Sequence, residues 1–169
     1  MTSQTIPVEP FDFVAFGATG DLAERKLLPA LYFRQLAGQF SEPTRIIGAS
    51  RTKMDSAGYR EFAEKALRDH VKEDELDEDA LKTFLERLEY VAVDARSGEG
   101  FDAIKALVDG DERIRVFYLA VGPELFGSIA KNLGEQGLIT PLSRIVVEKP
   151  IGRSLDSALQ LNDEIGRIA

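Results

Sequence analysis

The sequence predicts an α/β protein built on a doubly wound parallel sheet with helices on both faces. Five short apolar segments, rich in β-branched and aromatic residues, alternate with longer segments whose apolar residues recur at helical spacing. The short segments are almost continuously apolar, which is typical of strands covered on both faces. Strands separated by helices join through right-handed crossovers, and these crossovers build a parallel sheet.

The predicted strands are five to seven residues long. The predicted strands are Phe11–Phe16, Arg45–Ser50, Tyr90–Asp94, Arg115–Val121 and Arg144–Glu148.

The segments between the strands predict helices. The first stripe of apolar residues stops near Gly38, and Pro29 inside it is expected to kink the helix. Ser56 is the expected N-cap of the second helix. The acidic residues 77–79 suit the start of a third, whose stripe includes Leu88. The remaining helices are expected to begin near Phe101, Pro123 and Ser154, the last running towards Ala169.

The composition excludes several classes of function. The chain has 169 residues, 30% of them charged, and a net charge of −8, which disfavours nucleic acid as a partner. It has no cysteine and one histidine, His70, so disulfides, thiolate catalysis and a histidine-cluster metal site are excluded. Residues 1–10 resemble a disordered tail and not a signal peptide, and no apolar run could span a membrane. We therefore expect a soluble, cytoplasmic protein with one domain over residues 11–169.

A glycine-containing turn follows the first predicted strand. Gly17 and Gly20 flank Ala18 and Thr19, and a helix is expected to open at Asp21-Leu22. A turn between a strand and a helix is where a doubly wound fold holds a diphosphate, because glycine lets the backbone approach and the helix N-terminus attracts anions. The spacing is G-x-x-G-x-x-A and not G-x-G-x-x-G, and no Walker lysine follows. The turn predicts dinucleotide binding, with an ordinary structural turn as the alternative.

The end of the second predicted strand carries a cation where NAD-binding proteins usually place a carboxylate. Arg51 follows Ser50 and precedes Thr52 and Lys53, with no acidic residue among them. A guanidinium can bind a 2′-phosphate with two hydrogen bonds. The pattern therefore favours NADP over NAD, and the alternative is an exposed loop arginine.

The residues Glu148-Lys149-Pro150 follow the fifth predicted strand. They lie where parallel sheets bind ligands, so Lys149 could donate to a phosphate, a sugar hydroxyl or the ribose of a cofactor. A surface lysine is the alternative interpretation.

Together these motifs resemble the N-terminal part of the glucose-6-phosphate dehydrogenase family, in order and over about residues 11–160. The resemblance implies a Rossmann-like NADP-binding domain. The segments that carry it are Phe16–Ala23, Arg25–Leu31, Gly48–Arg51, Phe117–Phe126 and Val147–Gly152.

The resemblance also implies a role for each matching residue. The turn from Gly17 would bind the diphosphate, Arg51 the 2′-phosphate, and Asp94 would lie near the adenosine. Lys149 would contact both cofactor and glucose 6-phosphate, beside Pro150, which is often cis in the family. Gly122 stands where other members often carry proline or alanine, which implies a looser backbone. The implied cofactor-binding residues are Gly17, Ala18, Thr19, Gly20, Asp21, Leu22, Ser50, Arg51, Asp94 and Lys149.

The chain departs from the family in its extent. The family's catalytic histidine lies in an Arg-Ile-Asp-His-Tyr-Leu-Gly-Lys-Glu segment, which this sequence does not reach before Ala169. We therefore expect the substrate and oligomerisation domain of the parent dimer or tetramer to be absent, and NADP to bind without turnover. His70 lies in a polar helix and is expected to be a surface residue.

Two other functions remain open from the sequence. Short-chain-type dehydrogenases and their NADP-sensor relatives also use a Gly-Ala-Thr-Gly turn. The enzymes among them need Tyr-x-x-x-Lys, and no tyrosine here has lysine four residues on, so only a sensor-like binder remains. The second alternative is a structural domain that binds no nucleotide.

Overall fold

A computed structural model describes residues 10–40, 44–108 and 113–147 of the chain. The described part forms one five-stranded, fully parallel sheet with strand order β3-β2-β1-β4-β5, which confirms the predicted fold class. Because the chain adds strands to one side of β1 and then to the other, the strand order reverses between β1 and β4. The strands are β1 Phe11–Phe16, β2 Arg45–Ser50, β3 Leu88–Ala92, β4 Ile114–Leu119 and β5 Ser143–Val147.

The helices form one layer on each face of the sheet. On one face α1, α2 and α3 enclose a core that contains Tyr32, Tyr59 and Phe84. On the other face α4 and α5 enclose a second core around Phe101 and Ile129. The helices are α1 Leu28–Leu36, α2 Ser56–His70, α3 Glu78–Glu86, α4 Phe101–Val108 and α5 Phe126–Glu135, with 3-10 turns at Glu73–Glu75 and Pro123–Leu125.

The third strand differs most from its predicted position. It begins at Leu88, which the helical stripe had included, and ends at Ala92, two residues before Asp94. Leu88 pairs with Ile46 of β2 and is completely buried, so it belongs to the sheet and not to α3. Helical and strand spacing coincide over such a short junction, and the sequence alone could not separate them.

The prediction that Ser56 caps the second helix is wrong. Asp55 is the N-cap, because its Oδ1 accepts a hydrogen bond of 2.8 Å from the Gly58 amide. The Ser56 hydroxyl instead donates to Glu89 Oε1 at 3.2 Å and accepts from the Tyr90 amide at 2.9 Å. Ser56 therefore ties the start of α2 to β3. Asp77 caps α3 in the predicted acidic segment by accepting from the Asp79 and Ala80 amides.

A π-helical turn at Ala23–Leu27 precedes α1. The Leu28 amide donates to the Ala23 carbonyl, five residues back, and Pro29 follows in the first turn of α1. Proline has no amide hydrogen, so it cannot supply the ordinary helical bond at this point. The irregularity predicted for this helix thus lies in the turn immediately before Pro29.

A buried carboxylate joins the strands at the edge where β1, β2 and β4 begin. Asp12 of β1 is completely buried and accepts from Arg45 Nε at 2.8 Å and from Arg113 Nη1 at 3.4 Å. Arg45 also donates to the carbonyl of Leu107. Buried charges are tolerated only when they are paired in this way, so this network fixes the edge of the sheet opposite the one described next.

Three segments predicted from the sequence lie outside the described residues. They are Glu148-Lys149-Pro150, the helix predicted after Ser154 and residues 1–9 of the predicted tail. Within the part of the chain that is described, no helix has the length and apolar character needed to cross a membrane.

Candidate functional site

A cleft of about 490 Å³ lies at the edge of the sheet where the strands end, across the point where the strand order reverses. Open α/β sheets bind ligands at this position, because the loops after neighbouring strands diverge there. Four loops line the cleft, one after each of β1 to β4. Their residues at the cleft are Gly17, Thr19 and Gly20; Ser50, Arg51 and Thr52; Asp94, Ala95 and Arg96; and Val121, Gly122 and Glu124.

The turn after β1 brings backbone close to the middle of the cleft. Gly17 has a φ of +81°, and a Cβ there would lie 2.2 Å from the Ala120 carbonyl oxygen. Only glycine satisfies both the left-handed backbone and this close approach. The Gly17 amide donates to Ala49 O at 2.8 Å, and the Gly20 amide donates to Gly17 O at 3.0 Å. Helical backbone begins at Asp21, so the positive end of the helix faces the cleft.

The loop after β2 presents a cation and a group of hydroxyls. Arg51 is exposed, and its guanidinium forms no ion pair or hydrogen bond with any residue that the structure describes. Beside it, Thr19 Oγ1 lies 2.9 Å from Ser50 Oγ and 3.0 Å from Thr52 Oγ1. This cluster joins the β1 turn to the β2 loop. A free guanidinium among hydroxyls suits a phosphate group, whose oxygens accept hydrogen bonds from both.

The loop after β3 forms a further wall of the cleft, next to the loop after β2. Asp94 Oδ1 accepts from the amides of Arg96 at 2.9 Å and Ser97 at 3.2 Å, and the Asp94 carbonyl accepts from the Gly98 amide. Asn132 of α5 holds the same loop by donating from Nδ2 to Ala95 O at 2.9 Å. The loop is therefore fixed at both its start and its middle, and it holds the Arg96 backbone at the edge of the cleft.

The hydrogen bonds around Asp94 lower the pKa of its carboxyl group. The amides of Arg96 and Ser97 contribute most, and the positive charges of Arg51 and Arg96 add to the effect. The charged form is favoured in the folded loop, so its contribution is complete above the unfolded pKa of about 4. That contribution is lost as the pH falls through the lower pKa of the folded state.

We accordingly expect Asp94 to titrate below the ordinary range of aspartate. Carboxyl-carbon NMR on the chain measures this directly, and the Ser97 amide signal should change at the same midpoint because it donates to Asp94. The Asp94→Asn variant identifies the signal and removes the titration. An ordinary or raised midpoint for Asp94 would contradict the proposed loop geometry.

The fourth wall of the cleft follows β4. Gly122 has an ordinary φ of −64°, so backbone conformation does not demand glycine there. A Cβ at this position would lie 2.4 Å from the Glu124 carboxylate, which is the end of a flexible side chain. Gly122 therefore provides room for Glu124 beside the cleft. The looser backbone expected at Gly122 stays a prediction.

A sequence profile described as "Glucose-6-phosphate dehydrogenase, NAD binding domain" matches residues 14–169. The chain belongs to this glucose-6-phosphate dehydrogenase family. The family match assigns the Gly-Ala-Thr-Gly turn to these dehydrogenases instead of to the short-chain type, so the sensor-like alternative loses its support.

The chain is similar to several complete members of the family. It is 58% identical over 169 residues to glucose-6-phosphate 1-dehydrogenase of Rhizobium meliloti (strain 1021), covering 99% of this chain and 34% of that protein. It is 50% identical over 167 residues to the enzyme of Mycolicibacterium smegmatis, covering 96% of this chain and 34% of the other. The chain thus spans about a third of the length of these relatives.

A solved structure of the family has the same fold. It is described as glucose-6-phosphate dehydrogenase in complex with its substrate glucose-6-phosphate, and it superposes with a TM-score of 0.78 at 31% identity. The match covers all of this chain and 36% of that one.

The structure brings together most of the residues that the sequence singled out. Ala18 is completely buried beneath the turn, and Asp21 is exposed and pairs with Arg25 at 2.7 Å, so neither side chain lines the cleft; Leu22 does not line it either. Lys149 lies outside the described residues. The predicted residues that do line the cleft are Gly17, Thr19, Gly20, Ser50, Arg51 and Asp94.

His70 lies away from the cleft. It is exposed at the end of α2, and its Nε2 contacts Glu24 Oε2 at 3.0 Å. In the described residues, no cluster of three or more acidic or histidine side chains could hold a metal ion.

Three residues near the cleft were not predicted from the sequence. Arg96 lies in a loop without a recognisable motif, and only the structure places it at the same cleft as the β2 loop. Tyr59 and Tyr90 lie beneath the β1 turn and the β2 loop, which their hydroxyls contact, and neither was predicted to be a site residue. A signal was present, because buried tyrosines usually need a partner for the hydroxyl, but the sequence does not name that partner.

Proposed function

We propose that this chain is the NADP-binding domain of a glucose-6-phosphate 1-dehydrogenase and binds the cofactor in the cleft at the carboxyl edge of the sheet. The observation that carries the proposal is Arg51, whose guanidinium forms no hydrogen bond or ion pair within residues 10–40, 44–108 and 113–147 and lies beside the hydroxyls of Thr19, Ser50 and Thr52. The glycine turn stands next to it across the Thr19 bridge. The turn would hold the diphosphate, and Arg51 would hold the 2′-phosphate.

The chain's own residues would position the cofactor. The Gly17 turn and the helix that starts at Asp21 would orient the diphosphate, while Arg51 would select the phosphorylated ribose. Bound NADP would supply the nicotinamide that accepts the hydride from C1 of glucose 6-phosphate, and the proton of the C1 hydroxyl would go to a general base, giving the lactone. The general base and the residues that bind the sugar phosphate would come from a part of the family's sequence that the given residues do not include, and Lys149 would contact both cofactor and sugar.

The complete protein would be a dimer or tetramer in the cytoplasm, with the substrate site shared with a second domain. For this chain alone we expect NADP binding without turnover, because a general base contributes about 10²–10⁴-fold to such a rate. Steady formation of reduced nicotinamide from glucose 6-phosphate by the isolated chain would contradict this expectation.

The Arg51→Ala variant tests the proposal. We expect its Kd for NADP, measured by calorimetry, to rise more than about tenfold, because the variant loses charge-assisted hydrogen bonds to the 2′-phosphate. The Kd for NAD should rise far less, since NAD lacks this phosphate.

Arg34→Ala is the matched control. Arg34 is also an exposed arginine, but it lies on α1 away from the cleft. Equal losses of NADP and NAD affinity in Arg51→Ala would show that Arg51 does not recognise the 2′-phosphate. No uptake of NADP at millimolar concentration by the unaltered, folded chain would favour a structural domain that binds no nucleotide.

A further inference from the structure

Two tyrosines form a stacked pair directly beneath the candidate site. The rings of Tyr59 from α2 and Tyr90 from β3 have centroids 5.1 Å apart and planes 29° apart. Both residues are buried, with 2% and 7% of their surface exposed. Each carries a hydroxyl that contacts a different phosphate-binding loop, so the pair joins the two loops from below.

Tyr59 supports the diphosphate turn. Its hydroxyl donates to the Ala18 carbonyl oxygen at 3.1 Å, inside the turn that Gly17 opens. Gly48 of β2 leaves room for this ring, because a Cβ at Gly48 would lie 2.9 Å from two ring carbons of Tyr59. Burial raises the pKa of Tyr59, so its hydroxyl remains a donor.

Tyr90 supports the loop that carries Arg51. Its hydroxyl lies 2.6 Å from the Thr52 carbonyl oxygen, 3.2 Å from the Ser50 carbonyl oxygen and 2.5 Å from Ser50 Oγ. These contacts lie immediately before and after Arg51 in the chain. The backbone that presents the guanidinium is therefore held on both sides by a single phenol oxygen.

Counting protons fixes the direction of this network. The phenol has one hydrogen and carbonyl oxygens only accept, so the Tyr90 hydrogen goes to the nearer carbonyl, that of Thr52. Ser50 then donates its hydrogen to the Tyr90 oxygen, while Ser50 Oγ accepts from the Thr52 amide at 3.3 Å. Thr19 Oγ1 is left free to donate to Ser50 Oγ or Thr52 Oγ1. The network runs from β3 through the Arg51 loop to the diphosphate turn.

We propose that Tyr90 is a positioning residue for NADP selectivity, because its hydroxyl holds the Ser50–Thr52 backbone so that Arg51 points at the 2′-phosphate. This inference rests on the proposed function. The selectivity for NADP over NAD would then depend partly on Tyr90, a buried side chain that does not itself line the cleft.

The Tyr90→Phe variant tests this positioning role. It keeps the ring and its stacking on Tyr59 and removes only the hydroxyl. We expect the Kd for NADP to rise about three- to tenfold, the effect of one hydrogen bond, and the Kd for NAD to rise several-fold less. The ratio of the two affinities is the readout, because a loss of fold alone would weaken both cofactors together.

Two matched variants separate positioning from packing. Tyr59→Phe removes the hydroxyl that supports the diphosphate turn, so it should weaken NADP and NAD by similar factors. Tyr32→Phe removes a buried hydroxyl that contacts Glu75 O and the Asp77 amide, far from the cleft. It should lower the melting temperature without altering the ratio of the affinities.

The outcomes also separate this inference from the proposed function. If the unaltered chain does not bind NADP, the proposed function fails and the inference fails with it. If the unaltered chain binds NADP and Tyr90→Phe leaves the ratio of affinities unchanged, only the inference is overturned.

A measurement on the unaltered chain covers the case in which Tyr90→Phe does not fold. The ring signals of Tyr90 in NMR should shift more with adenosine 2′,5′-bisphosphate than with adenosine 5′-monophosphate, because only the first carries the 2′-phosphate. Equal shifts with the two ligands would overturn the inference.

Discussion

Replacing Gly17 by alanine is expected to remove NADP binding and to destabilise the fold by about 3 kcal/mol or more. The φ of +81° already disfavours any side chain, and the added Cβ would lie 2.2 Å from Ala120 O and 2.9 Å from Val121 Cγ1. The contact is with backbone, which cannot rotate away. Relief requires that β1 and the end of β4 separate, at the position where the Ala120 amide donates to Phe16 O. Thermal melting and calorimetry with NADP measure the two effects.

Gly127→Ala is the matched control for this substitution. Gly127 lies in the first turn of α5, and a Cβ there would meet no atom within 4 Å. Because alanine favours helix over glycine, this variant should be as stable as the unaltered chain or up to about 1 kcal/mol more stable. A Gly17→Ala protein with unchanged melting temperature and NADP affinity would show that the turn can form without its left-handed residue.

The second large effect is expected from Asp12→Ala, which should destabilise the chain by about 3–5 kcal/mol. Asp12 is completely buried, and its carboxylate is the shared acceptor of Arg45 and Arg113 from two neighbouring segments. Removing it leaves positive charge in a region from which water is largely excluded. Urea denaturation of the two proteins gives the difference in the free energy of unfolding.

An exposed ion pair of the same length provides the comparison. Lys65 Nζ and Asp69 Oδ2 are also 2.8 Å apart, but their side chains are 80% and 47% exposed. Water screens that pair, so Asp69→Ala should leave the stability almost unchanged. Similar losses in Asp12→Ala and Asp69→Ala would mean that burial does not determine the importance of the Asp12 network.

Regular spacing allowed most of the architecture to be predicted from the sequence. The first two strands were found at their observed bounds, because β1 and β2 are mostly apolar, apart from Asp12, Arg45 and Ser50, and lie in the interior of the sheet. The fourth strand was predicted too long at its carboxyl end, since Ala120 and Val121 are apolar but already belong to the loop. Apolar character does not distinguish a strand from an apolar loop at its end.

The site could be predicted where one residue alone reveals its role, either by a backbone conformation that only glycine adopts or by a charge that is unusual at that position. Gly17 and Arg51 are of this kind, and both lie at the cleft. Arg96 and Tyr90 are not, because their importance depends on what stands opposite them in space. Tyr90 and Thr52 are 38 residues apart, and no local pattern relates a phenol on one strand to a carbonyl beyond the end of another.

The bond from Asn132 to Ala95 has a consequence for efforts to exchange one coenzyme for another. The loop that carries Arg96 is bonded to α5, which lies on one face of the sheet. The loops that carry Thr19 and Arg51 are supported from the helical layer on the other face. The width of the opening therefore depends on how both layers rest on the sheet. Substitutions around Arg51 alone change the ligand charge that the site binds, but they leave the width of the opening unchanged. A larger or smaller ligand would require substitutions on α5 as well.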